Sequence, residues 1–175
     1  MEQVFTFMET ANKYGFPIPI LTLLIGGSIW LIFTAKWPER ERFYYDLLGS
    51  LGRWKNSLSD RQGYYMEPGT EFRDSTISQL PRFKELISAG NTALASIREQ
   101  VHIGRLFLSK NAVRHIEELI AEHWLIDEFD AICTSDYLDK VLPVVEKVYE
   151  AILADARKDL ARGRYAALLG RLFLK

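Results

Sequence analysis

The chain has only one cysteine and three histidines among its 175 residues, and both scarcities restrict its chemistry. With a single cysteine, Cys133, the chain cannot form an intrachain disulfide, and this agrees with a reducing compartment. We interpret Cys133 as a buried packing residue. The His-Glu-x-x-His pattern of zinc proteases is missing, and no glycine-rich phosphate loop ending in Lys-Ser/Thr occurs. We therefore expect a protein that is not an enzyme and that holds no cofactor and no metal ion.

Basic and acidic residues are nearly balanced, so the chain has no strong net charge. The formal net charge is −1, from 22 basic and 23 acidic residues. Residues 1–35 contribute only Glu2, Glu9 and Lys13 to these totals, so the remainder of the chain is formally neutral. A nucleic-acid-binding domain needs a basic face, and we therefore expect no nucleic acid partner.

Charged side chains are absent from residues 17–35, which read PIPILTLLIGGSIWLIFTA. As a helix this segment extends about 28 Å, close to the thickness of the hydrocarbon core of a bilayer. Aromatic residues and Lys36 at its boundaries are typical of the membrane interface. The pattern predicts a single transmembrane helix over 17–37, after a short extracytoplasmic tail over 1–16. Small residues in this segment could let a second transmembrane helix approach closely. The candidate helix-packing residues are Thr22, Gly26 and Gly27.

Two other interpretations compete with a membrane span. A cleavable signal peptide would begin with basic residues and end at a small-x-small site, and neither feature is found. A buried helix of a soluble bundle would usually carry a polar stripe. Lys36, Arg40 and Arg42 directly follow the span, so the positive-inside rule places the C-terminal part in the cytoplasm and the N-terminus outside. We therefore expect a single-pass protein of the inner, or cytoplasmic, membrane.

The clean alternation of a β-strand occurs nowhere, and apolar residues recur at helical spacing instead. We expect an all-α chain, in which a single N-terminal transmembrane helix is followed by an antiparallel helical bundle. The pattern predicts a juxtamembrane amphipathic helix over 38–58, a loop over 59–80 and a helical cytoplasmic domain over 81–175. In that domain, Ser109 is a predicted N-cap, and Pro143 either starts the final helix or kinks it.

The predicted loop over 59–80 contains the turn-forming pair Pro68-Gly69 and shows no sustained period. A long structureless segment within a compact domain is usually either functional or disordered, and both alternatives stay open here. Its apolar side chains are typical of a docked or partner-binding loop. The candidate partner-binding residues are Tyr64, Tyr65, Met66 and Phe72.

Acidic residues dominate 115–139, a stretch that contains no lysine or arginine. A second partner-binding surface is predicted there, formed by Glu117, Asp127 and Asp130. The helix that leads into this stretch is expected to bury an apolar stripe. That stripe comprises Val113, Ile116, Leu119, Ile120 and Trp124.

The same helix carries the one group of potential metal ligands. Two of its acids follow the first histidine at i+3 and i+7, which places the three side chains on one helical face. Di-iron bundles, however, use Glu-x-x-His motifs on separate helices, and no such motif occurs. We interpret the group as a surface cluster rather than a metal site. Its members are His115, Glu118, Glu122 and His123.

The C-terminal segment is a basic amphipathic helix by its pattern. Such a helix packs on the bundle, lies on an anionic membrane surface or binds a partner, and the three alternatives stay open. The candidate membrane-surface residues are Arg164, Leu168, Arg171, Leu172, Phe173 and Lys175.

Together these features predict a membrane-anchored cytoplasmic helical protein that acts as a non-enzymatic interaction, scaffold or regulatory module. Its expected partners are membrane lipid and either another protein or further copies of this chain. One alternative is a membrane-perturbing effector that oligomerises through its transmembrane helix. Another is a metal-dependent enzyme of the helical-bundle type, using His115 and its acidic neighbours.

Overall fold

A computed structural model describes the backbone of residues 37–66 and 74–173, and the side chains of residues 37–66 and 75–161. Every regular element in this part of the chain is helical, and no strand occurs in it, so the all-α expectation is confirmed. A 3₁₀ turn over Gly63–Tyr65 follows the first helix, and a π-helical turn over Ile126–Asp130 follows the fourth. The helices are α1 (Trp37–Gln62), α2 (Asp74–Ile77), α3 (Pro81–Gly104), α4 (Lys110–Leu125) and α5 (Thr134–Phe173).

The helices α1 and α5 run antiparallel to each other. Near the start of α1, Arg40 Nη2 donates to Asp159 Oδ2 at 2.7 Å. Near its end, Gln62 Nε2 donates to Asp139 Oδ1 at 2.6 Å. Residue numbers thus rise along α1 while those of the contacting residues fall along α5, which is the register of an antiparallel pair.

The other contacts complete an up-down-up-down bundle. Ser57 Oγ, late in α1, donates to the carbonyl of Leu86, early in α3, at 2.6 Å, so α1 and α3 are antiparallel. The backbone N–H of Ser109, at the start of α4, donates to Tyr44 Oη at 3.3 Å, so α1 and α4 run parallel. Short connections join α3 to α4 and α4 to α5, as is usual for neighbours in such a bundle.

One apolar core fills the space between the four long helices. On α1 its members recur every three or four residues, which brings one helical face inward. Burying these side chains supplies the main stabilisation of the fold, at about 25 cal/mol per Å² of apolar surface removed from water. The side chains of the core that are fully enclosed include Leu47, Leu51, Leu58, Ile97, Ile116, Leu119, Leu138, Val145 and Ile152.

The helices α1 and α3 approach most closely at Gly90. A Cβ at this position would lie 2.8 Å from Ser57 Oγ, which is held in place by its hydrogen bond to Leu86. By contrast, a Cβ at Gly49 would meet only the end of the Arg53 side chain, at 3.5 Å. Gly90 is therefore required by the packing of two helices, whereas Gly49 is not.

Helix boundaries agree with the sequence pattern at several points. Ser109 is the N-cap of α4, and its Oγ accepts a hydrogen bond from the N–H of Ala112 at 3.0 Å. Pro143 lies inside α5, which begins nine residues earlier at Thr134. The first helix extends past the predicted end at 58 to Gln62, because Arg61 continues the buried face instead of starting a polar loop.

The predicted transmembrane segment over 17–37 lies outside the described residues, except for Trp37 at the start of α1. Among the helices that are described, within 37–66 and 74–173, none is long and apolar enough to cross a bilayer.

Residues 39–161 form one compact unit, and its two ends differ in chemistry. The end at which α1 begins, which we call the proximal end, contains a polar network centred on Asp159. The Asp159 carboxylate accepts hydrogen bonds from Arg40 and from Tyr44 Oη, both at 2.7 Å. Ser109 extends the network, because its Oγ donates to Asp155 Oδ2 at 3.0 Å. Burial, reinforced by the bond to Asp159, raises the pKa of Tyr44, so this phenol stays a donor at neutral pH.

Candidate functional site

The opposite end of the unit, which we call the distal end, contains an open cavity of about 560 Å³. This volume lies within the range of about 300–1,000 Å³ that is usual for small-molecule sites. All four long helices and the connection between α4 and α5 contribute to its walls. The residues that give the cavity its polar character include Arg61, Asn91, Arg98, His123, Asp127 and Tyr137.

Arg61 reaches the cavity from the last turn of α1. Leu47, Leu51, Trp54 and Leu58 precede it at intervals of four, three and four residues, so Arg61 occupies the next inward-facing position. Its side chain is only 9% exposed. The guanidinium carbon lies 5.5 Å from the ring centre of Phe83 and 5.8 Å from that of Tyr137, as in cation–π contacts.

The polar partners of Arg61 are incomplete. No described carboxylate lies within ion-pair distance of its guanidinium, and its buried Nε has no hydrogen-bond partner. Burial lowers the pKa of Arg61, while the fields of Tyr137, Tyr65 and Asp127 raise it. An arginine stays charged even so, and the cavity therefore contains a desolvated positive charge.

His123 enters the cavity from the last turn of α4 and is only 6% exposed. Its ring lies edge-on to Trp54, with centroids 5.2 Å apart, and its Nε2 is 2.9 Å from Tyr137 Oη. The donor in that hydrogen bond depends on the tautomer, and Nδ1 has no partner among the residues that the structure describes. Desolvation lowers the pKa of His123, opposed by Asp127 and assisted by Arg98, and burial raises the pKa of Tyr137 to about 12. At neutral pH both side chains are therefore uncharged.

An exposed apolar surface lies beside the cavity on the same end of the bundle. The π-helical turn after α4, closed by the Ala131 N–H bonding to the Ile126 carbonyl at 2.9 Å, directs Phe129 outward. Trp124 and Phe129 pack edge to face with centroids 5.2 Å apart. Ile132, which also lines the cavity, is 93% exposed. We call this surface the distal patch; its members are Trp124, Leu125, Phe129 and Ile132.

The predicted partner-binding residues around 64–72 are only partly described. Tyr64 and Tyr65 are half-buried, and their rings lie edge-on to Phe83 at centroid distances of 5.4 and 6.0 Å. Met66 is exposed. Phe72 lies outside the described residues. The two tyrosines thus help to hold Phe83 beneath Arg61.

The structure separates the three acids predicted to form one surface. Glu117 is on the outer face of α4, where its Oε1 accepts from Arg105 Nη2 at 2.5 Å. Asp127 lines the distal cavity. Asp130 is exposed, and its backbone carbonyl accepts a hydrogen bond from Lys140.

The interpretation of His123 as part of a surface cluster was wrong. His123 is buried, whereas His115 is half-buried with its Nδ1 3.6 Å from Glu118 Oε2, and Glu122 is exposed. Within the described ranges, no group of three or more His, Cys, Asp or Glu side chains is arranged to hold a metal ion.

Two further predictions about burial were wrong. Trp124 is 51% exposed, because α4 buries the face of Ala112, Ile116, Leu119 and His123 instead. Cys133, expected in the core, is exposed at the edge of the cavity, because it lies in the connection between two helices.

The candidate membrane-surface residues are described only by their backbone. Arg164, Leu168, Arg171, Leu172 and Phe173 lie in the last turns of α5, and Lys175 lies outside the described residues. The proposed helix-packing residues Thr22, Gly26 and Gly27 also lie outside them.

The buried histidine predicts a dependence of stability on pH. Its pKa is lower in the folded protein than in the unfolded chain, where it is about 6.5. Below that pH the unfolded chain binds a proton that the folded protein does not, so the stabilisation is complete above about pH 6.5 and is lost as the pH falls. Denaturation at pH 7.5 and 5.5 should therefore show His123→Gln losing less stability than the wild type on acidification. Equal losses in the two proteins would contradict this assignment.

Comparison with known proteins adds no relative: no family model matches the chain, and neither a curated protein nor a solved structure matches it significantly.

Proposed function

We propose that this protein is a membrane-anchored, non-enzymatic helical module that binds a protein partner through its distal patch. Residues 17–37 form the single transmembrane anchor, with the N-terminus outside and residues 38–175 in the cytoplasm. The charge-free segment and the basic residues that follow it support the anchor and its orientation.

The observation that carries the proposal is the placement of the two ends of the bundle. Arg40 and Asp159, three residues from the start of α1 and two residues from the end of the compact unit, are in contact at 2.7 Å. Both ends of the compact unit, at residues 39 and 161, therefore lie at its proximal end. With 26 residues, α1 is about 39 Å long, so the distal end is about that far from both of them.

The chemistry of the distal patch supports a protein partner. Trp and Phe are among the residues most enriched at binding interfaces, where they supply large apolar area. Phe129 is 69% exposed and contacts Trp124, which is 51% exposed, so the two rings form one apolar surface. Contiguous exposed apolar surface of this kind usually marks an interaction site.

Membrane fractionation with carbonate extraction tests the anchor, with a cytoplasmic reporter fused after Lys175. We expect the protein in the carbonate-resistant pellet with an active reporter. Extraction into the supernatant would show that residues 17–37 do not span the membrane.

Photo-crosslinking in intact cells tests the patch, with the photoreactive residue at Phe129 or, as a control, at Leu106. Leu106 is an exposed apolar residue at the proximal end. We expect a discrete adduct from position 129 that disappears when Trp124 and Ile132 are both replaced by alanine. An adduct of twice the 20.2 kDa chain mass would identify a second copy as the partner. Identical adduct patterns from positions 129 and 106 would contradict the proposal.

A further inference from the structure

The distal cavity contains a positive charge that the described protein does not neutralise. A desolvated cation is costly unless a counter-charge and hydrogen-bond acceptors surround it. Arg61 has aromatic rings on two sides but no described carboxylate in ion-pair contact, and its Nε lacks an acceptor. An anionic acceptor that enters the cavity would pair with this guanidinium.

The charges around the cavity define the ligand. Arg61 and Arg98 supply two positive charges and Asp127 one negative charge, while His123 and Tyr137 are neutral at pH 7. The lining thus has a surplus of one positive charge, which matches a monoanion. Arginine guanidinium groups bind the planar carboxylate through paired hydrogen bonds.

The lining of the cavity is mainly polar, and Trp54, Ile87 and Leu94 add apolar side chains to it. Asn91 contributes an amide. Sites for small organic molecules combine apolar side chains with a few polar groups that orient the ligand. A cavity of about 560 Å³ is also much larger than a bare inorganic ion needs.

From these observations we infer that the cavity is a binding site for a small organic carboxylate, whose charged group pairs with Arg61 and Arg98 and whose body packs against Ile87 and Leu94. His123, whose Nδ1 has no partner among the described residues, also lines the cavity. The inference is independent of the membrane anchor and of the partner at the distal patch.

Fluorine NMR of 4-fluorobenzoate added to the full chain in detergent micelles tests the inference, with neutral 4-fluorobenzamide as the matched probe. We expect saturable broadening for the benzoate and at least about 10-fold weaker binding of the benzamide, since charge-assisted hydrogen bonds are lost. Arg98→Gln should weaken benzoate binding by about 10-fold or more. Arg98 is exposed, so its replacement is compatible with folding.

Arg61→Gln should abolish benzoate binding in protein that still shows the helical circular dichroism of the wild type. Arg114→Gln is the control, because Arg114 is exposed on α4 and pairs only weakly with Glu118, at 3.7 Å. Equal binding of the two probes, or benzoate binding that Arg98→Gln leaves unchanged, would overturn the inference. Absence of benzoate binding up to about 10 mM, a weak-affinity limit, would overturn it too. Tighter binding of phenyl phosphate would replace the carboxylate by a phosphate ester as the ligand.

Discussion

Replacing Ile116 by alanine should lower the free energy of unfolding by about 2–5 kcal/mol, the usual cost of truncating a fully enclosed isoleucine. Ile116 is 0% exposed and lies in the middle of α4, whose buried face meets the other three long helices. Truncation removes apolar contacts and leaves a cavity that the rigid helices only partly fill. Chemical denaturation of the full chain, followed by circular dichroism, measures the change.

The matched control is Ile132→Ala, which removes the same atoms from a side chain that is 93% exposed. It should change the free energy of unfolding by less than about 0.5 kcal/mol, as is usual for surface positions. The same substitution should still weaken the crosslink from position 129, since Ile132 belongs to the distal patch. A large loss of stability in Ile132→Ala, or none in Ile116→Ala, would contradict the assignment of the core face of α4.

Replacing Asp159 by alanine should lower the free energy of unfolding by about 1–3 kcal/mol, because two donors lose their acceptor. Arg40 Nη2 and Tyr44 Oη both bond to Asp159 Oδ2 at 2.7 Å. The Tyr44 ring is nearly inaccessible, so its hydroxyl has no ready access to replacement water. Asp159 is mostly buried and Arg40 is about a quarter exposed, so solvent screens part of the ionic contribution.

Asp46→Ala serves as the control, because this exposed acid on α1 pairs, among the described residues, only with Arg42 across one helical turn at 3.7 Å. Such surface pairs contribute about 0.2–0.5 kcal/mol. Tyr44→Phe separates the two bonds in the network: it removes the phenol donor and keeps the ion pair, so it should cost less than Asp159→Ala. Equal stability of the Asp159→Ala and Asp46→Ala proteins would show that the proximal network does not hold α1 against α5.

The buried faces of α1 and α4 show how well the helical spacing of apolar residues predicts burial. In α1 the regular spacing from Leu47 to Leu58 predicts the buried face correctly, and continuing it by one step finds Arg61. The predicted helix ends at residue 58, because the following residues contain turn-forming glycine and proline and show no sustained period. The spacing itself was the available signal, and it required accepting a charged residue at an apolar position.

In α4 the pattern is compatible with two faces. Both the stripe ending at Trp124 and the stripe of Ala112, Ile116, Leu119 and His123 have helical spacing, and they share Ile116 and Leu119. The two stripes differ by a small rotation of the helix, which composition does not determine. In the structure α4 buries the stripe that ends at His123, because the imidazole packs against Trp54 and lies 2.9 Å from the Tyr137 hydroxyl. The larger indole of Trp124 stays on the exposed side.

The sequence by itself determined that the described chain is helical, that α4 starts after Ser109, and that residues 17–35 carry no charge, because these features depend on neighbours a few residues apart. Only the tertiary structure decided that Arg61, Arg98 and His123 share one cavity, since they come from three helices brought together by burial of the core. The same holds for Asp159, which meets Arg40 across 119 residues of chain. Contacts between distant segments depend on how whole helices pack and on their relative register. The local spacing of residues in the sequence determines neither of these.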